Sequence, residues 1–134
     1  NEMNERDLFY YNKIKWILMA MAQSSEEQLS LFPPDSLVGD ELFSEYEAAV
    51  LVDLDPVIQY GFLSLQQTDA LKELHAYIVS KCGVEFEHIW LDNEQLDGEE
   101  WQIIRKLSKK AIEIFGWVLE KPKPLYSMVI DVNE

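Results

Sequence analysis

His75, Cys82 and His88 are the residues best suited to hold a metal or to act as a nucleophile, and their spacing argues against both roles. The intervals of seven and six residues are unlike the paired spacings of common zinc sites. Cys82, the single cysteine, follows a helical pattern and has no basic cluster beside it to lower its thiol pKa. His75 is expected on a helix surface and His88 partly packed. The segment Asp92-Asn93-Glu94-Gln95-Leu96-Asp97-Gly98 has the carboxylates of a calcium loop. With Gly98 in the loop's sixth place, however, Ile104 falls where a bidentate glutamate is required. The five glycines, at 39, 61, 83, 98 and 116, are too scattered for a phosphate-cradling loop. No Gly-x-Ser-x-Gly elbow occurs. Neither a cofactor nor catalysis is expected; the chain reads as a binding protein.

Charge carries more information. The 134 residues hold 25 acids against 11 bases, a net charge of −14. All of that excess lies between Asp35 and Glu100, where 16 carboxylates face only Lys72 and Lys81. Such a field repels nucleic acid and anionic membranes, so neither is expected as a direct partner. Solubility alone can favour surface carboxylates. Yet Glu41 and Glu45 stand four apart on a predicted helix, where like charges cost about 0.2–0.5 kcal/mol. A basic partner would exploit that one-sided field. With no apolar run near the length of a membrane span and no signal-peptide pattern at the start, the expected location is the cytoplasm.

The elements that must position these carboxylates follow from periodicity and punctuation. Leu8, Tyr11, Ile14, Ile17, Leu18 and Met21 predict a helix over residues 5–22, buried on more than one side. Ser25 with Gln28 suggests a capping box for a short helix ended by Pro33-Pro34. A helix is predicted over 40–54, with Leu42, Tyr46, Ala49 and Val50 inward and Asp55-Pro56 as its breaker. Ser64 with Gln67 opens another through Ser80, capped by Gly83. Residues 84–91 lean towards helix. A final helix over 97–119 turns Trp101, Ile104, Leu107, Ala111, Ile114, Phe115 and Val118 inward. Arg105, Lys106, Lys109 and Lys110 then form its wet face. The expected fold is all-α, a compact single-domain bundle of four or more helices over residues 1–121. A short proline-led tail, 122–134, extends from it; residues 125–132 have strand propensity.

Several short motifs in order also resemble a known group. Gln28-Leu-Ser-Leu-Phe-Pro33 is followed by Gly39-Asp-Glu-Leu-Phe-Ser-Glu-Tyr-Glu-Ala-Ala49, and later by Gly61-Phe-Leu-Ser-Leu-Gln-Gln-Thr-Asp-Ala-Leu71. Together with Trp90 and Trp101, they are similar to small acidic helical immunity proteins of bacterial contact-dependent growth inhibition and other polymorphic toxin systems. The likeness covers roughly residues 28–117; residues 57–60 and the chain beyond Trp117 depart from it. It implies a cytoplasmic protein that binds the C-terminal domain of its cognate toxin, often a nuclease with a basic substrate cleft.

Charge and resemblance together nominate Asp40, Glu41, Glu45 and Asp53 as one partner-binding cluster. Glu85, Glu87, Asp92 and Glu94 form a second. Tyr46, Tyr60 and Trp90 are candidate anchors, since buried aromatics dominate interface energetics, although Tyr46 and Trp90 also suit the core. The alternative is an acidic helical adaptor for another cellular protein, such as a transcription regulator.

Overall fold

The computed structural model describes residues 3–125. In chain order the helices are α1 (Glu5–Ala22), α2 (Ser25–Ser30), α3 (Val38–Val50), α4 (Asp55–Gln59), α5 (Leu65–Ser80), α6 (His88–Leu91) and α7 (Glu99–Phe115). Tight 3-10 turns at Val84–Phe86 and Asn93–Asp97 flank α6. No strand occurs among the described residues, so the fold is all-α. The predicted strand propensity of residues 125–132 falls almost wholly outside them. No helix among the described residues is long and apolar enough to cross a membrane.

Helix α7 lies against both α1 and α5, while α3 packs on the other flank of α1 and carries α6. The last two turns of α1 are buried all round, from Ile17 to Ala22, as expected of a helix wedged between two others. Trp101 is fully buried, and its indole N–H donates to the Ile89 carbonyl at 3.0 Å. This ties α7 to α6 and satisfies the one polar atom of a large core side chain.

Several boundaries differ from expectation, each for a local reason. Ser24 rather than Ser25 caps α2, its hydroxyl accepting from the Glu27 amide at 3.3 Å. Helix α3 starts at Val38 and ends at Val50, because Leu51 and Val52 both turn left-handed. Pro56 does not break a helix; it sits in the first turn of α4, where its missing N–H costs nothing. The Ser64–Gln67 capping box forms as expected, both reciprocal bonds present. Gly83 is not the cap of α5: its φ of −71° is ordinary, and it opens the following 3-10 turn. Gly98 rather than Asp97 precedes α7, which stops at a left-handed Gly116. Val118, beyond that stop, is exposed, and Ile114 is exposed because the buried side of α7 runs through Ser108, Ala111, Ile112 and Phe115 instead.

The C-terminus of α1 shows how polar residues hold this bundle. Four unpaired carbonyls end any helix, and α1 has neither a glycine cap nor a basic last turn. Gln28, fully buried, donates from its amide to the carbonyls of Ala20 and Met21. Gln23 donates to Met19 and also to the Glu120 carbonyl. Arg105, expected on the wet face of α7, instead reaches inward. Its Nε donates to the Gln23 carbonyl at 2.6 Å, and Nη2 donates to Gln28 Oε1 at 2.7 Å. Its cation thereby meets the negative end of the α1 dipole. Beyond α7 the chain returns along α1, where the Trp16 indole donates to the Lys123 carbonyl at 2.8 Å.

Candidate functional site

The start of α3 is held from far along the chain. Leu37, at the N-cap position, offers no side-chain cap. Asn93 supplies one from the turn after α6: its Oδ1 accepts from the Val38 amide, and its Nδ2 donates to the Ser36 carbonyl, both at 2.9 Å. Asp92 orders that turn by accepting from the Glu94 amide at 3.0 Å. Gly39 then lets the two backbones touch. A Cβ there would lie 2.8 Å from the Trp90 carbonyl oxygen and 3.1 Å from that of Ile89.

This approach brings one carboxylate of each acidic cluster, Asp40 and Glu87, to one groove. Asp40 and Phe43 from α3, Cys82 from the loop after α5, and Glu87, Trp90 and Leu91 around α6 line a groove of about 170 Å³. The Phe43 and Trp90 rings lie 5.1 Å apart at 47°, and the Trp90 indole donates to the Lys81 carbonyl. The groove is smaller than a typical small-molecule pocket of about 300–1,000 Å³. Partial burial, and secondarily the charge of Glu47, push the Cys82 thiol above its usual pKa, which keeps it protonated and poorly nucleophilic.

The nominated carboxylates divide around this feature. Asp40 and Glu87 line the groove itself. Glu41, on the same first turn as Asp40, and Glu94, beside the Asn93 clamp, are exposed. Glu85 folds its carboxylate back over Gly83. Asp92 is exposed but also serves as the cap just described. Glu45 is half-buried and faces a different hollow, formed with Lys13, Trp16 and Leu125. Asp53 is exposed after the left-handed pair that ends α3.

Of the aromatic candidates, Tyr46 is core rather than an anchor. It is only 2% exposed, because it falls on the inner stripe of α3. Its hydroxyl is hydrogen-bonded to His75 Nδ1 at 2.6 Å, and burial, with Cys82 second, holds it far above the ordinary phenol pKa. The histidines exchange their expected places, His75 being half-buried against Tyr46 and His88 exposed. Tyr60 packs beside Tyr10, with the Arg6 guanidinium 3.8 Å over its ring, among none of the acidic candidates. Trp90 is buried but presents part of its surface to the groove. Tyr46→Phe is expected to cost about 0.5–1.5 kcal/mol, the net value of one such hydrogen bond. Urea unfolding measures it, and an unchanged midpoint would mean that the bond contributes nothing.

No protein-family model, curated protein or solved structure matches the chain. What the groove can do is therefore read from its own residues. Phe43, Leu91 and Asn93 were not legible as site residues in the sequence. Phe43 stands off the inner stripe of α3, and Asn93 is hidden inside a run that resembles a failed calcium loop.

Proposed function

We propose that the chain is an immunity protein: it binds and neutralises a cognate bacterial toxin domain in the cytoplasm through its acidic face, with no catalytic role of its own. The supporting observation is the meeting of Asp40 and Glu87 at one groove, although 47 positions separate them in sequence. Exposed Glu41 and Glu94 lie on the same two packed segments. A nuclease or RNase carries a basic cleft for phosphates, and a carboxylate face can fill that cleft. Complementary fields speed encounter and fix orientation, while apolar contact at the centre supplies affinity. The sequence resemblance to immunity proteins of contact-dependent growth inhibition systems points the same way.

The test is binding to the C-terminal domain of whatever large surface protein proves to be encoded immediately upstream, titrated at two salt concentrations. Tight binding that weakens with salt is expected. Glu41→Lys with Glu94→Lys is expected to slow association at low salt by about tenfold or more, leaving helical circular dichroism unchanged. An unaltered association rate would remove this face from the interface. No binding to the toxin domain would favour the adaptor reading instead.

A further inference from the structure

The groove between α3 and α6 has a more specific chemistry than a general acidic surface. Its carboxylates, Asp40 and Glu87, stand at a cavity whose other sides are Phe43, Trp90, Cys82 and Leu91. Among the described residues neither carboxylate has an ion-pair partner. The ion pairs among the described residues are Arg6–Asp7, Lys110–Glu73 and Lys121–Glu27, all elsewhere. The nearest lysine in sequence to Cys82, Lys81, lies with its ammonium 4.7 Å from the Phe86 ring and 5.5 Å from that of Tyr77. Two unpaired anions beside two aromatic rings call for a cation with an apolar stem.

We propose that this groove receives a single arginine side chain of the partner protein, its stem against Phe43 and Leu91 and its guanidinium shared by Asp40, Glu87 and the Trp90 ring. This deepens the immunity reading, on which it rests for the nature of the partner. Arginine suits the site better than lysine for two reasons. Its planar, weakly hydrated head stacks on aromatic faces, and its fork of donors can bridge two carboxylates. The volume of about 170 Å³ holds one long side chain and excludes a helix.

Because Cys82 is exposed, lines the groove and is the only cysteine, its alkylation by iodoacetamide, run at alkaline pH to offset its raised thiol pKa, reports occupancy. The probe is N-acetyl-arginine amide, and the control is its uncharged isostere, N-acetyl-citrulline amide. At a probe concentration about twice a millimolar-range Kd, occupancy near two-thirds slows alkylation roughly threefold. The citrulline compound is expected to have no effect. Asp40→Asn with Glu87→Gln is expected to abolish the protection while helical circular dichroism is retained. The Trp90 indole resonance is expected to shift with arginine in the parent protein alone.

Equal protection by citrulline would mean a merely apolar slot and would overturn the proposal. So would protection that survives in the double variant, or none up to the solubility limit. The wider reading fails separately. Arginine binding without any toxin binding would leave the groove and remove the immunity role. Toxin binding indifferent to Asp40→Asn with Glu87→Gln, with no arginine protection, would do the reverse.

Discussion

Replacing Arg105 by methionine is expected to destabilise the protein by about 2–4 kcal/mol, although sequence patterning assigns this residue to solvent. Methionine keeps the aliphatic stem and removes two charge-assisted hydrogen bonds, each worth about 1.5–3 kcal/mol when well formed. The sum is discounted because the arginine is only half-buried, which screens its charge. The main loss falls on Gln28, whose Oε1 would be left without a donor at a position of zero exposure. The carbonyl of Gln23 loses its partner as well. Burial lowers the Arg105 pKa, opposed by Asp97, but a guanidinium starting so high remains charged at any ordinary pH. Arg105→Lys is expected to recover only part of the loss, since an ammonium cannot reproduce the two-pronged contact. Urea unfolding of both variants measures this. A methionine variant as stable as the parent would show that water replaces the guanidinium without penalty.

Gly39→Ala is the second large effect, expected at about 1–3 kcal/mol, the usual range for overpacking. Alanine ordinarily stabilises a helix relative to glycine by up to about 1 kcal/mol, so the sign itself is diagnostic. Here the added methyl would meet backbone: the Trp90 carbonyl oxygen at 2.8 Å, the Trp90 Cα at 3.0 Å and the Ile89 carbonyl at 3.1 Å. Side-chain rotation cannot relieve a clash with backbone, so truncating Trp90 should not rescue the variant. Relief requires α6 to move away from α3, which also separates Asp40 from Glu87 and weakens the Asn93 clamp. The variant is therefore expected to lose both stability and arginine-probe protection of Cys82. A gain in stability would mean that the two backbones do not approach so closely.

What could be read from the sequence follows the difference between local and distant causes. The Ser64–Gln67 capping box, the inner stripe of α3 and the burial of α1 from Ile14 onwards are local signals found where the pattern puts them, whereas Leu8, at the head of the α1 stripe, is exposed. The helix content of 84–91 was also legible, as a 3-10 turn followed by the single turn of α6. The misses arise where a distant partner decides. Arg105 and Gln28 turn inward only because the end of α1 arrives between them. Ser108 is buried by helical phase despite its hydroxyl, since position on the wheel outweighs polarity. Pro56 opens α4 because an asparagine-free, left-handed Leu51-Val52 turn has already ended α3. At the candidate site, the carboxylates were legible from composition and charge, whereas their meeting was not. That juxtaposition depends on Gly39 and Asn93, neither of which is charged or aromatic.

The pairing of α1 with α7 has a consequence for how the protein comes into being. Helix α3 can cover one flank of α1 early, but the flank that meets α7 stays uncovered until a partner some ninety residues later has been made. At about 5–20 residues per second of synthesis, that surface waits roughly 5–20 s. Closing so long a loop before any packing reward slows the decisive step. Completion of the α1 packing is thus expected to follow the docking of α7 rather than the formation of α1 itself.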